Sequence, residues 1–328
     1  MHIPENYLSP STCALAAAVM FPVWHRAARR VRAEVPQEKI PLIGVAAAFS
    51  FLAMMFNIPL PGGTTGHAVC GTLIAILFGP WSSVLAISIA LAIQAVFFGD
   101  GGILSWGANC LNMAFVLPFV GHALYQLLRR HLTGSRGELV AAGIGSYVGL
   151  NAAALLCALE FGIQPLLFHD ASGAALYCPY PLAVAVPAMM LGHLTVAGLA
   201  EAGFTVGILA FVRSAAPSFG IESHDTSGNL TPIVGLVFAL VMACPLGLIA
   251  TGDAWGEWAT EDLAEMVGYA PAGLANGWEW SSLMPDYAVG TLPDWIGYVI
   301  SAVVGVALLA IIFRLASGAS RPTVDFDA

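Results

Sequence analysis

Residues 40–57 read IPLIGVAAAFSFLAMMFN, and residues 81–98 read WSSVLAISIALAIQAVFF. Neither run contains Asp, Glu, Lys or Arg. Each approaches the ~20 apolar residues that a helix needs to cross the hydrocarbon core of a bilayer. Such a helix has no polar face to offer water, so its solvent is lipid or other helices. Outward from these two runs the same reading gives nine apolar segments, at 9–25, 40–57, 68–79, 81–98, 104–126, 138–161, 182–212, 230–250 and 295–316. The third is short for a straight span, and is expected to be tilted or packed inside the bundle as a partial helix. Composition agrees: 58% of the 328 residues are hydrophobic, 9% are charged, and mean hydropathy is +0.81. A soluble domain carries roughly 25% charged residues. The fold class is therefore read as all-α, a polytopic membrane helix bundle with a core of about seven segments plus two C-terminal helices.

The basic residues orient it. Arg26, Arg29, Arg30, Arg32 and Lys39 fall between segments one and two; Arg129, Arg130 and Arg136 between five and six; Arg213 after seven; Arg314 and Arg321 at the end. With alternating spans all of them lie on one side, which the positive-inside rule makes cytoplasmic. The N-terminus is then expected outside, the C-terminus in the cytoplasm, and the chain in the cytoplasmic membrane. The opposite loops carry Asp100, Asp170, Asp253, Glu257, Glu261, Asp262, Glu265, Glu279, Asp286 and Asp294, without Lys or Arg. This acidic face either gathers cations or simply avoids positive charge outside. With a net charge of −9 and the basic residues in loops on one side, no nucleic-acid partner is expected. The polar stretch SAAPSFGIESHDTSGN at 214–229 reads as a cytoplasmic linker. It divides a membrane core at 1–213 from a C-terminal two-helix region at 230–328, which encloses an acidic loop rich in Trp. Tryptophan favours the interface, so this loop is expected on the outer leaflet.

The chemistry is sought where polar donors meet these spans. The chain opens MHIPENYLSPST, with no Lys or Arg before Arg26, so no cleavable leader is expected and the N-terminus should persist. A free amine on Met1, the amide nitrogen of His2 and its imidazole can then close two fused chelate rings on one metal. The amide must lose its proton, which demands a strongly polarising ion. Planar nitrogen donors suit Ni(II) or Cu(II), with low-spin Co(II) also accepted, and leave one position for a fourth ligand. The candidate is His67 in NIPLPGGTTGHAVCGT, whose prolines and glycines exclude regular helix or strand. Irregular backbone at membrane depth is tolerated only where protein buries it or it lines a cavity.

Other polar residues have two readings each. Gln94, Asn109 and Asn112 either orient the metal site or hydrogen-bond helix to helix. Asp100 in FGDGG is a turn residue near the outer face or a contact on the metal path. His193 and Glu201, eight residues apart inside the seventh segment, either meet a partner subunit or pair structurally. Ala14 and Ala18 make a small-residue face suited to close contact with a partner helix. The six cysteines are scattered without a CxxC pair, and read as small core residues.

These motifs together resemble the CbiM/NikM family. They are MHIPE at the N-terminus, PGGTTGH at 61–67, ILFGPW at 76–81 and FGDGGILSWGANCLNM at 98–113. That family comprises the substrate-capture membrane subunits of energy-coupling-factor transporters for nickel and cobalt. The resemblance implies a metal site of the Met1 amine, the His2 amide and imidazole, and His67, with four nitrogens in a square plane. The cargo it implies is Ni2+ or Co2+, since the same nitrogens suit both, with no organic cofactor. It also implies separate ATPase subunits and a transmembrane coupling subunit in the bilayer. The C-terminal region, with PLGLIATGDAWGEW at 245–258, is similar to the small accessory membrane subunit. No Walker A loop precedes the one lysine, Lys39, so no ATPase activity of that kind is expected of the chain itself. A gradient-driven permease would need carboxylates at the midplane, where only Glu160 and Glu201 come close. An intramembrane metalloenzyme would need a motif such as HExxH, which is absent from the sequence, and no enzymatic activity is expected.

Overall fold

The computed structural model describes residues 1–220 and 229–319. Arg321 and positions 221–228 of the linker lie outside the described residues. The helices are α1 Pro10–Glu34, α2 Ile40–Met55, α3 Gly71–Phe78, α4 Pro80–Ile93, α5 Trp106–Asn109, α6 Leu117–Arg129, α7 Gly134–Gly162, α8 Gln164–Leu167, α9 Leu182–Gly192, α10 Gly198–Ala215, α11 Thr231–Ala243, α12 Thr260–Val267, α13 Ala272–Ala275 and α14 Asp294–Ala319. Wide π-turns extend α4 over Gln94–Phe98, join α5 to α6 over Cys110–Val116, and join α9 to α10 over His193–Ala197. Among the described residues, the strands are a two-residue antiparallel pair, β1 Ile58–Pro59 against β2 Thr65–Gly66.

Seven helical stretches among the described residues are long and apolar enough to cross a membrane: 37–55, 80–98, 106–129, 134–167, 182–215, 231–249 and 294–318. The polytopic all-α reading therefore holds, with two segments built differently from the rest. The first apolar run is only the front of α1, a helix of 25 residues started by Pro10 and by the Ser9 hydroxyl, which accepts from Thr12 N–H. Its later turns carry Arg26, Arg29, Arg30 and Arg32, which dilute its hydropathy. The third run is α3, eight residues or about 12 Å long. Every one of them is buried, so α3 is a partial helix inside the bundle.

Helix α2 forms the centre, buried without interruption from Ala46 to Met55. Small residues let the helices approach one another. A Cβ at Gly305 of α14 would lie 2.2 Å from the Phe51 ring, and one at Gly145 of α7 would lie 2.6 Å from the Gly121 carbonyl of α6.

The two ends of the bundle differ in charge. At one end Gln37 Nε2 donates to the Ser317 carbonyl, Lys39 Nζ to the Gly220 carbonyl, Arg213 pairs with Glu138, and Arg26 lies over the Trp81 ring. The described Lys and Arg residues fall in the later turns of α1, at the α1–α2 and α6–α7 junctions, and towards the ends of α10 and α14. The N-terminal segment 1–9, the Gly-rich loops and the acidic C-terminal loop meet at the other.

Candidate metal centre

The N-terminal segment is driven inward by its own apolar residues: Met1, Ile3, Tyr7 and Leu8 are all buried. Hydrogen bonds fix its register. Asn109 Oδ1 accepts from Ile3 N–H at 2.7 Å, and Asn109 Nδ2 donates to the Ile3 carbonyl at 3.1 Å. Gly102 N–H donates to the same carbonyl at 2.9 Å. Asn109 therefore grips both polar groups of the residue that follows His2. The loop at 99–105 approaches so closely that a Cβ on Gly102 would lie 2.3 Å from Glu5 Oε2. Further along, Gln164 Oε1 accepts from Ser9 N–H at 3.0 Å, and the Tyr7 carbonyl accepts from Cys178 N–H.

His67 directly follows β2. A turn at Gly62 and Gly63, with φ of 90° and 80°, reverses the chain between the two strands. Beyond His67, Val69 and Cys70 donate their N–H groups to Glu201 Oε2 of α10, at 2.7 and 2.9 Å. These amides open α3, whose first turn has no helical acceptor of its own. Ser50 Oγ donates to the Val69 carbonyl at 2.7 Å. The ligand loop is thus tied to α2 and α10.

The structure brings Met1, His2 and His67 together. His67 Nε2 lies 3.3 Å from His2 Nδ1, and the ring centroids are 4.9 Å apart. Burial, reinforced by His2, pulls the His67 imidazole well below its ordinary pKa. Its Nδ1 lies 3.2 Å from the Ala68 carbonyl, which takes the N–H of the neutral ring and leaves Nε2 as a lone pair. Adjacent donors in a square plane lie about 2.8–3.0 Å apart for metal–nitrogen bonds of ~2.0–2.1 Å. The two rings need only close slightly to hold one ion.

Two carboxylates attend these nitrogens. Glu257 Oε1 accepts from the Met1 amine at 3.0 Å, and Asp100 Oδ1 lies 3.0 Å from His2 Nδ1. Burial alone would pull the amine down, but Glu257 overcomes it and holds the ammonium above its ordinary range. Burial would likewise push Asp100 up; His2 and the Tyr287 hydroxyl hold it well below the usual carboxylate range. Asp100 Oδ2 accepts from Tyr287 Oη at 2.5 Å and Gln94 Nε2 at 3.1 Å. His2, Asp100 and Glu257 offer ligand atoms within 4.8 Å of one another, a mixed nitrogen–oxygen set beside the nitrogen set. All line a cavity of about 250 Å³ with His67, Asp253, Asp286 and Tyr287.

Of the remaining residues singled out in the sequence, Gln94, Asp100 and Asn109 lie around the site. Asn112 does not reach it, and donates instead to Glu160 at 2.6 Å. His193 and Glu201 are buried in the chain: His193 is 6% exposed with Nδ1 on the Met189 carbonyl, and Glu201 is 0% exposed. Ala14 and Ala18 are exposed on α1. Glu257 and Tyr287 went unread as site residues, because each lies far along the chain from His2 in an irregular loop. The one available signal was the acidic character of that loop.

Residues 2–219 match the family described as "Cobalt uptake substrate-specific transmembrane region" (CbiM), and residues 230–321 match the PDGLE domain. The "Fused nickel transport protein NikMN" of Rhodobacter capsulatus is 49% identical, over 97% of this chain and 97% of its own length. The "Probable fused nickel transport protein LarMN" of Lactiplantibacillus plantarum is 44% identical, over 96% of this chain and 97% of its own. A solved structure titled a truncated transition metal transporter is 50% identical with a TM-score of 0.62, covering 65% of this chain and 99% of that one.

Proposed function

This chain belongs to the CbiM family of cobalt uptake substrate-specific transmembrane regions, and from that we propose that it captures Ni2+ or Co2+ outside the cytoplasm for ATP-driven uptake. The observation that carries the reading is the 3.3 Å approach of His67 Nε2 to His2 Nδ1 beside the buried Met1 amine. The cargo is held by the Met1 amine, the deprotonated His2 amide, His2 Nδ1 and His67 Nε2. Four nitrogens in one plane favour Ni(II) and low-spin Co(II) over ions that prefer oxygen or tetrahedral sites. Relatives named for nickel transport support the same cargo.

Charge balance supports binding in so buried a place. The empty site holds an ammonium; the loaded site holds a dication, a neutral amine and an amidate. Apart from the imidazoles both sum to one positive charge, and the Glu257 and Asp100 carboxylates counter it in either state. Two protons leave for each ion that enters.

The N-terminal end faces outside, because the opposite end collects the basic residues. There the cavity adjoins a wider vestibule lined by Glu5, Asp253, Glu257, Asp262, Glu279 and Asp286, which raises the local cation concentration. The capture core comprises residues 1–213, joined by a cytoplasmic linker at 214–229 to the accessory region at 230–328. Energy comes from separate ATPase subunits through a transmembrane coupling subunit, with the Ala14 and Ala18 face of α1 available for contact. No organic cofactor takes part.

Metal content of the purified chain tests the site. Wild type offered nickel or cobalt is expected to retain about one ion per chain, and versions with one residue added before Met1, or with His67→Ala, to lose it. Equal retention by all versions refutes the nitrogen chelate and moves attention to the carboxylates.

A further inference from the structure

His2 Nδ1 has two polar neighbours, His67 Nε2 at 3.3 Å and Asp100 Oδ1 at 3.0 Å. A metal that takes Nδ1 takes the space against which Asp100 rests. The carboxylate must then either bind the ion or give way. Nothing in the nitrogen set decides between these outcomes, and a free carboxylate beside a dication would bind it.

The other oxygen of Asp100 is held. Tyr287 Oη donates to Oδ2 at 2.5 Å and Gln94 Nε2 donates to it at 3.1 Å, while the Asp100 N–H donates to the Gln94 carbonyl at 3.1 Å. Both tethering side chains are buried, Gln94 at 0% and Tyr287 at 6% exposure. They come from separate parts of the chain: Gln94 begins the π-turn that ends the α4 span, and Tyr287 belongs to the loop before α14.

The backbone is strained to deliver the phenol. Asp286 and Tyr287 have φ of 52° and 62°, successive left-handed residues of which neither is glycine. The surroundings hold Tyr287 there: its ring stacks on Phe98 at 4.8 Å, meets Phe51 at 6.4 Å, and its carbonyl accepts from Ser301 Oγ at 2.8 Å. A conformation that costs energy and is fixed on three sides places one hydroxyl on one carboxylate oxygen.

We propose that Tyr287, with Gln94, is a specificity-determining residue: it holds Asp100 by Oδ2, so that when the ion takes the space of Oδ1 the carboxylate turns about that tether and the cargo is held by nitrogen alone. Oxygen ligation would raise the coordination number and admit ions that favour carboxylates, eroding the preference for Ni(II). With Asp100 tethered, the carboxylate remains near the ion as a counter-charge and does not join its coordination sphere. The proposal rests on the four-nitrogen reading given above.

Absorption spectra of the full-length purified chain loaded with Ni2+, with Zn2+ as competitor, test it. Wild type should show the visible band of planar, low-spin Ni(II) and prefer nickel. Tyr287→Phe should weaken that band and lower the nickel-to-zinc preference by at least about tenfold, as loss of an outer-shell partner does. Adding Asp100→Asn to Tyr287→Phe should restore both, since the intruding ligand is then gone. Gln94→Leu removes the second tether and should act in the same direction if Tyr287→Phe folds poorly. A planar band in wild type that survives Tyr287→Phe and Gln94→Leu with unchanged metal preference overturns the proposal alone. Absence of the planar band from wild type overturns the four-nitrogen reading together with it.

Discussion

At the scale of single residues, the proposed chelate makes the Met1 amine the group through which the site responds to pH. Glu257 holds the ammonium above the ordinary amine range of ~7.7–8.0, so at neutral pH the amine is protonated and cannot bind metal. The His2 amide must also lose its proton, while His67, kept neutral by burial, has none to lose. Protons therefore compete with the ion, and affinity falls as pH falls. Titrations of Ni2+ binding between about pH 6 and 7.5 are expected to show log K rising by at least about two per pH unit, as release of the amine and amide protons requires. A slope near zero would exclude both the amine and the amide as ligands. Glu257 thus opposes capture by stabilising the proton and favours it by stabilising the dication that replaces it.

At the scale of elements, the short helix α3 and the loop before it act as one part. The eight residues of α3 have too few hydrogen bonds to stand alone, and a partial helix within the bundle needs acceptors for its first amides. Glu201 supplies them through Oε2, and so fixes the backbone two and three residues beyond His67. Replacing Glu201 by Ala is expected to lower nickel affinity about 10–100-fold while the chelate of Met1 and His2 remains. Glu201→Gln should retain most of it, because a single oxygen accepts both bonds. Isothermal binding to the two variants distinguishes this role from one that depends on charge, in which Gln would fail as Ala does. The π-turns at Gln94 and His193 belong to the same scale. Such turns are frequent at functional sites, and the one at Gln94 meets Asp100.

At the scale of the whole molecule, the division of charge between the two ends is what the proposed orientation rests on. All six cysteines are buried, so an introduced surface cysteine would be read against a low background. Ala171→Cys at the N-terminal end is expected to react with a membrane-impermeant maleimide in intact cells. Ser135→Cys at the basic end should react only after the membrane is opened. The reverse pattern would place the metal site on the cytoplasmic side and contradict uptake by this route. The C-terminal region is also part of the site at this scale. Thr65, beside the His67 loop, donates its N–H to the Asp253 carbonyl at 3.1 Å, while Glu257 and Tyr287 reach the amine and Asp100.

The sequence by itself determined the solvent of this protein, because the bilayer acts on local composition, and runs such as 40–57 and 81–98 carry that signal residue by residue. It also singled out Met1, His2 and His67, which the fold brings together, since a chelate formed by neighbours and a Gly-rich loop interrupting apolar runs are local patterns. The lengths of α1 and α3 were less legible. Hydropathy marked where α1 begins but not that it continues through Arg26–Arg32, and it could not separate a tilted span from a buried partial helix. Only the tertiary structure decided that Glu257 stands at the N-terminus, that Tyr287 holds Asp100 and that Glu201 anchors the His67 loop. Those pairings join residues more than a hundred positions apart. No period or composition encodes which buried donor meets which acceptor, because that depends on how the helices pack and where their irregular turns fall.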